Sequence, residues 1–253
     1  MALPKVLADE MGKGQPSDRL RLVKPPRLKE GDRLTREEFE RRYDAMPHLK
    51  IAELIEGVVY MPSPVRHLEH GQPHGLIIFW VVTYWMSTPL TDFSDNATVR
   101  LDEINDPQPD AVLFIAEAAG GRARIGQDRY IAGAPELIVE VSASTTPYDL
   151  QDKLRAYERN GVREYVVWRT EDGELDWFRL RGKKYARVRP NDKGIIESSV
   201  FPGLRLHVSA LLKGDLKKVL SELQKGLKSR EHAEFVKRLA KKAGSGKPSS
   251  KSK

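Results

Sequence analysis

Three charged residues form the most informative pattern in this chain of 253 residues. Asp110 directly follows Pro109, Glu140 lies thirty residues further on in an apolar run, and Lys153 follows Glu140 by thirteen. Two acids on neighbouring strands can hold a hard divalent cation through oxygen, while an ammonium group beside them orients water or stabilises developing charge. The residue types and their spacing therefore indicate metal-dependent phosphodiester chemistry.

The run that carries Glu140 has the composition of a buried strand. Side chains alternate between the two faces of a strand, so Glu140 shares its face with Ile138 and Ser142. A carboxylate among apolar side chains is costly unless it is paired, hydrogen-bonded or bound to a metal ion. Glu140 is expected to have a dedicated partner, and an ordinary salt bridge to a neighbouring Arg or Lys is the alternative explanation.

The residues after this strand have the pattern of a helix over 147–160, with Thr146 as its N-cap and Gly161 as its C-cap. The inward stripe of this helix consists of Leu150, Leu154 and Tyr157. At 3.6 residues per turn, Lys153 lies only about 60° from the centre of that stripe. Its ammonium group can therefore reach inward, although a long lysine side chain can also extend to solvent.

Other polar residues are weaker candidates. Asp110 alone could be a turn residue, because Asp often follows Pro in turns. Glu53 stands in an apolar strand and is a candidate third acid, whereas Glu56 is expected in a turn. The histidines lack the glutamate-bearing helical signature of a zinc site, and we do not expect zinc there; they are His67, His70 and His74.

The remaining pattern predicts an α/β fold with a mixed sheet. A capping box at Thr35 begins a helix that ends near Tyr43. A strand–helix–strand unit should place 137–141 and 164–168 in parallel. The other predicted elements are a hairpin over 51–61, a buried helix over 76–86, strands at 98–101 and 110–115, a hairpin of 175–180 with 184–188, an edge strand within 195–208, and helices over 210–242 broken near Ser229.

The domain organisation follows from composition. Residues 1–33 are rich in Pro, Lys and Arg and are expected to form a flexible leader. A single core is expected over 34–208, followed by C-terminal helices over 209–242 and a disordered basic tail over 243–253.

Net charge is distributed unevenly. From Lys213 onward there are 13 Lys and Arg against 4 Asp and Glu, whereas residues 1–212 have 30 against 32. The net charge of +7 therefore consists of a C-terminal +9 and a body of −2. The tail could attract phosphate without sequence preference, or it could simply keep the protein in solution.

Composition also bounds the location of the protein. It has no cysteine, which removes disulfides and thiolate metal sites, and no apolar run reaches the roughly 18 residues that a membrane span requires. The first residues do not have the pattern of a signal peptide. We therefore expect a cytoplasmic protein without a membrane partner.

Several motifs in this order resemble the Uma2 family, also called DUF820, of restriction-endonuclease-like proteins. They are Glu53-Leu-Ile-Glu-Gly57, Met61-Pro-Ser-Pro64 with a nearby histidine, Pro109-Asp110, Gly133 to Ser142 with Glu140, Asp149 to Tyr157 with Lys153, and Gly161 to Tyr165. The resemblance covers about residues 34–208. It implies the core of the PD-(D/E)xK nuclease superfamily, a mixed sheet flanked by helices, here with an added β-hairpin.

The resemblance also implies roles for individual residues. Asp110 and Glu140 would bind Mg²⁺, or Mn²⁺ in its place, together with the backbone carbonyl of Val141. The usual lysine two positions after the second acid is replaced by Ser142, and Lys153 resembles a lysine that has migrated to the next helix. Glu53 resembles an additional acid of the family. Arg169 stands where relatives often have Asp, at a position that we interpret as peripheral.

The function expected from these features is a Mg²⁺-dependent endonuclease that hydrolyses phosphodiester bonds of DNA. The alternative is a noncatalytic module of nuclease fold that binds nucleic acid or a protein, which the negative charge of the body favours. A third hypothesis is a transposon-associated or host-defence component that needs an additional protein partner. A homodimer is expected by analogy alone.

Overall fold

The structure, a computed structural model, describes residues 24–61, 66–143 and 148–245. The predicted N-cap Thr146, the Met61–Pro64 motif beyond Met61, most of the leader and the end of the tail lie outside these ranges. Within them, no helix is long and apolar enough to cross a membrane.

The described residues form a mixed α/β fold, as predicted. The α-helices are α1 (Arg36–Asp44), α2 (Gln72–Met86), α3 (Leu154–Asn160), α4 (Val208–Leu212), α5 (Leu216–Leu227) and α6 (Arg230–Ser245). The strands are β1 (Glu53–Ile55), β2 (Val58–Tyr60), β3 (Thr91–Asp95), β4 (Val99–Arg100), β5 (Ala111–Ile115), β6 (Arg124–Ile125), β7 (Ile131–Ala132), β8 (Leu137–Ser142), β9 (Glu164–Arg169), β10 (Glu174–Arg181), β11 (Lys184–Arg187), β12 (Ile195–Glu197) and β13 (Arg205–His207).

The main sheet has six strands in the order β11-β10-β9-β8-β5-β3. Within this sheet β8 and β9 form the parallel pair, and α3 lies in the connection between them, which confirms the predicted strand–helix–strand unit. The helix ends as expected, with Gly161 in the left-handed conformation at φ 79°. The predicted hairpin of β10 and β11 is also confirmed.

The two faces of the sheet contact different layers. Leu113 and Val139 face the cluster that contains α2 residues such as Trp80, and the C-terminal helices pack in the same layer. Val112 and Ile138 face the opposite cluster, which contains Tyr157 of α3. Because residues alternate along a strand, Glu140 belongs to the same face as Ile138 and points toward α3.

A small unit at one end of the sheet carries Glu53. Strands β1 and β2 form the predicted hairpin around Glu56, which adopts φ 52° in the turn. The N-cap of α1 is confirmed, because the Thr35 hydroxyl accepts a hydrogen bond from Glu38 N. Leu28, within the predicted leader, is buried in the cluster between this hairpin and α1, so the residues before Leu34 are partly packed on the fold.

Some predictions differ from the observed elements. Residues 195–208 do not add an edge strand to the main sheet; β12 and β13 pair only with each other, because the chain reverses between them. The edge strand is β3 instead, whose polar sequence gave no strand signal but which pairs antiparallel with β5. Helix α2 begins at Gln72 rather than Leu76, since Pro73 in the first turn is compatible with a helix.

Candidate active site

Strand register brings the two acids of the candidate site together. In the antiparallel pair of β5 and β8, Ala111 lies opposite Val139, so the preceding residue Asp110 lies opposite Glu140. Directly opposed residues of an antiparallel pair project from the same face of a sheet. Both side chains are buried, at 6% and 4% exposure, at the same end of the sheet.

Glu140 has two donors on the helix that follows it. Its Oε1 accepts hydrogen bonds from Lys153 Nζ at 2.9 Å and from Tyr157 OH at 2.9 Å. Burial, and then the charge of Glu140, raise the pKa of Tyr157 well above its ordinary value, so Tyr157 stays a hydrogen-bond donor at neutral pH. Glu140 therefore has a cationic partner, and this ion pair is also what the alternative explanation, an ordinary salt bridge to a lysine, describes.

Lys153 lies inside the protein rather than on its surface. It ends a π-helical turn, Asp149–Lys153, that leads directly into α3, and its residue exposure is 4%. Its Nζ lies 2.9 Å from Glu140 Oε1 and 2.9 Å from Glu53 Oε1. An ammonium group buried at this depth requires such partners, because the loss of its hydration is otherwise uncompensated. The alternative of a lysine extending to solvent does not apply.

Glu53 joins the site from the separate β1–β2 hairpin. Its Oε1 accepts a hydrogen bond from Gln108 N at 2.7 Å, and its Oε2 accepts one from Tyr148 OH at 3.4 Å. The first bond ties Glu53 to the segment that leads into Asp110. All four predicted side chains, those of Glu53, Asp110, Glu140 and Lys153, are therefore within one buried cluster.

Asp110 is fixed by the backbone of β8 and by a histidine. Its Oδ2 accepts a hydrogen bond from Val141 N at 2.6 Å, and its Oδ1 lies 3.2 Å from His70 Nε2. His74 Nε2 is further from the same oxygen, at 3.8 Å, and instead contacts Asp95 Oδ1 at 3.1 Å.

His70 is the site residue that sequence reasoning missed. Besides the contact with Asp110, its Nδ1 lies 3.0 Å from the carbonyl oxygen of Val141. A neutral imidazole has one N–H and can donate to one of these oxygens, while a protonated ring can donate to both. The sequence offers the histidines as possible zinc ligands and as the histidine near the Met61–Pro64 motif, but nothing in their spacing indicates a contact with a strand seventy residues away.

Two tyrosines form one wall of the cluster. The rings of Tyr60 and Tyr148 have centroids 4.1 Å apart, and Lys153 Nζ lies 5.2 Å from the centroid of Tyr148. Tyr60 donates a hydrogen bond to Asp152 Oδ2 at 3.0 Å. Burial, and then this bond, raise the pKa of Tyr60 to about 12, so its hydroxyl group stays a protonated donor near neutral pH.

The donor atoms of the site fit a hard divalent cation. Asp110, Glu140 and the Val141 carbonyl supply oxygen, which Mg²⁺ prefers, and Mg²⁺ commonly takes only one or two carboxylates from a protein. Within the described ranges, no group of three or more His, Asp or Glu side chains has the arrangement of a metal site. Two acids with a carbonyl are the candidate donor set.

A known family matches most of the chain. The model of the Uma2 family, described as "Putative restriction endonuclease", matches residues 36–209, well over half of the chain. The chain belongs to the Uma2 family. The matched range contains all four clustered side chains and His70, and it ends before α5, so the last two helices lie outside the match.

One solved structure is similar at low sequence identity. It is described as a putative nuclease belonging to DUF820 from Anabaena variabilis ATCC 29413, with 12% identity, a TM-score of 0.46, and coverage of 71% of this chain and 97% of that chain. No curated protein matches the sequence. Membership of the Uma2 family supports a nuclease function for the chain.

Proposed function

We propose that the protein is a Mg²⁺-dependent endonuclease that hydrolyses phosphodiester bonds of DNA at the cluster of Asp110, Glu140 and Lys153. Asp110 and Glu140 would hold the ion, together with the carbonyl of Val141. The observation that carries the proposal is the buried ammonium of Lys153, 2.9 Å from Glu140, on the face that Glu140 and Asp110 share.

The charge of the cluster supports a cation-dependent reaction. Two carboxylates, those of Glu53 and Glu140, contact one ammonium group, and Asp110 lies opposite Glu140, so the site is negative overall when its acids are ionised. A phosphodiester is also negative, and like charges in a buried site repel strongly. A divalent ion held by Asp110 and Glu140 would supply the missing positive charge and make a bound water more acidic.

The protein side chains have separable roles in the proposed reaction. The ammonium group of Lys153 is held in a fixed position. It orients the attacking water or stabilises the charge that develops on phosphorus. Tyr157 holds Glu140 through Oε1 and thereby fixes the direction of that carboxylate. Glu53 shares the ammonium group of Lys153 and so restrains it.

The test is a nuclease assay on supercoiled plasmid DNA with Mg²⁺ or Mn²⁺. We expect Asp110→Asn, Glu140→Gln and Lys153→Ala each to lower the cleavage rate by at least about 100-fold, since each removes an electrostatic element of the transition state. The matched control is Glu164→Gln, another buried and ion-paired acid, which lies at the opposite end of β8 and β9. Equal cleavage by all folded preparations would refute the assignment.

The alternative, a noncatalytic module that binds nucleic acid or a protein partner, is favoured by one feature. Lys153 already pairs with both Glu53 and Glu140, so these two acids have a cationic partner without a metal ion. Calorimetry separates the two functions. Failure of the folded protein to bind Mg²⁺ or Mn²⁺ at millimolar concentration would favour the module.

A further inference from the structure

His70 is placed where it affects the proposed metal ion directly. Its two ring nitrogens contact Asp110 Oδ1 at 3.2 Å and the Val141 carbonyl oxygen at 3.0 Å. These residues supply two of the three oxygen ligands in the proposed function. We propose that His70 sets the metal affinity of the site by competing with the divalent ion for these two oxygens. The inference rests on the proposed function, because it concerns the same ligands.

Local structure holds the ring in this position. His70 belongs to a π-helical turn, His67–Gly71, directly before α2, and such turns are frequent at functional sites. The turn is tied to the end of the main sheet, because Thr170 Oγ1 donates a hydrogen bond to Glu69 O at 2.5 Å. Thr170 N in turn bonds to Ser142 O, next to Val141.

A second histidine supports the ring from the side. His74, one helical turn further on, lies with its ring 14° from parallel to that of His70 and 5.6 Å from it between centroids. Its own nitrogen contacts Asp95, at the end of the edge strand β3. The stacked pair therefore restrains the His70 ring in the position from which it contacts both oxygens.

Competition follows from the geometry of the acceptors. A divalent ion bound by Asp110 and Val141 would need a lone pair from an oxygen of each residue. The ring edge of His70 already faces these two oxygens. Entry of the ion therefore breaks at least one hydrogen bond to His70. A hydrogen bond to a charged group is worth a factor of about ten or more in an equilibrium constant. His70 thus weakens metal binding. The site is then occupied only when the ion is abundant or when the ion binds together with the phosphate substrate.

The test measures metal affinity without requiring activity. Calorimetric titration of the full chain with Mn²⁺, repeated with Mg²⁺, compares the wild type with His70→Ala. We expect about tenfold tighter binding in His70→Ala. His70→Asn, whose amide can still donate to one oxygen, should lie between the two. The matched control is His67→Ala, which removes an exposed ring of the same π-helical turn, and it should stay within threefold of wild type.

Each outcome decides the inference. Weaker metal binding by His70→Ala would indicate that His70 is a metal ligand, which would overturn the proposal. Unchanged metal binding by His70→Ala, or no metal binding by any variant, would also overturn it. Asp110→Asn added to His70→Ala should abolish the tight binding, which locates the ion. The nuclease assay tests the proposed function independently of metal affinity. Tight metal binding by His70→Ala without DNA cleavage by any preparation would refute the endonuclease function and leave the role of His70 intact.

Discussion

Lys153 Nζ and Glu140 Oε1 are 2.9 Å apart in the interior of the protein, although thirteen residues separate them in the chain. Glu140 points from β8 toward the face that α3 covers, and Lys153 enters the same space from the turn before α3. The strand–helix connection thus delivers an acid and an ammonium group to one point. This pair is the element around which Glu53, Asp110 and Tyr157 are arranged.

Removal of the cation should destabilise the protein as well as inactivate it. Lys153→Met leaves Glu53 and Glu140 buried without their ammonium partner, and breaking a buried pair in this way costs about 3–5 kcal/mol. The measurement is chemical denaturation at pH 7. Adding Glu140→Gln to Lys153→Met should recover part of the lost stability, because one uncompensated charge is removed. Purely additive losses would show that the two groups do not interact.

Loss of the Tyr157 hydroxyl should have a smaller effect. Tyr157→Phe keeps the buried ring but removes one hydrogen bond to Glu140, which we expect to cost about 1–3 kcal/mol of unfolding free energy. Plasmid cleavage should fall by less than tenfold, because Lys153 still contacts the same oxygen. The control is Tyr185→Phe, a partly buried tyrosine whose hydroxyl donates a hydrogen bond to Val162 O away from the cluster. Equal cleavage losses in both variants would contradict a specific role for Tyr157.

A buried acid outside the cluster should make stability depend on pH. Burial, and then the neighbouring carboxyl of Glu40, raise the pKa of Asp106 to about 8. Neither oxygen of Asp106 has a hydrogen-bond donor among the described residues, so a proton between the two carboxyls supplies the missing donor. Asp106 is bridged to Leu54, beside Glu53, through its backbone, and it helps to place the segment before Asp110.

The sign of this dependence follows from linkage. The folded protein keeps the Asp106 proton up to about pH 8, whereas the unfolded chain releases it near its ordinary pKa of 3.8. The contribution of Asp106 is therefore complete below pH 3.8 and is lost as pH rises toward 8, at up to about 1.4 kcal/mol per pH unit. Denaturation midpoints from pH 5.5 to 8.5 should fall more steeply in wild type than in Asp106→Asn. Parallel curves would contradict the raised pKa.

Two glycines should differ sharply in their tolerance of alanine. A Cβ on Gly226 of α5 would meet Gly203 O at 2.1 Å, whereas nothing lies within 4 Å of a Cβ on Gly244 of α6. Gly226→Ala should destabilise the protein by about 1–3 kcal/mol through overpacking. Gly244→Ala should be neutral or stabilising by up to about 1 kcal/mol, since alanine favours a helix. Thermal denaturation measures both, and equal melting temperatures would contradict the close contact between α5 and Gly203.

Local patterns in the sequence predicted the part of the fold that carries the acid–lysine pair. The apolar run around Glu140, the helical stripe beside Lys153 and the glycine at position 161 are short-range signals, and the structure contains the strand, the helix and the left-handed cap that they indicate. Helix geometry also indicated that Lys153 can reach inward, and the lysine is buried.

Contacts between distant segments could not be predicted in the same way. Strand β3 has few apolar residues, and its extended conformation is stabilised by antiparallel pairing with β5. The pairing of β12 with β13 depends on a reversal of the chain that no turn motif identified. His70 meets Val141 only because the turn before α2 is docked on the ends of β8 and β9. Such arrangements depend on tertiary packing, which a single sequence does not encode as a local pattern.

An anomalous difference map from crystals grown with Mn²⁺ tests the central claim most directly. The account predicts one peak that lies about 2.0–2.6 Å from carboxylate oxygens of both Asp110 and Glu140, within the range of bonds between divalent cations and oxygen. Lys153 should remain beside Glu140. If crystals grown at a saturating Mn²⁺ concentration show no peak between these two acids, or a single peak elsewhere on the protein, the account is contradicted.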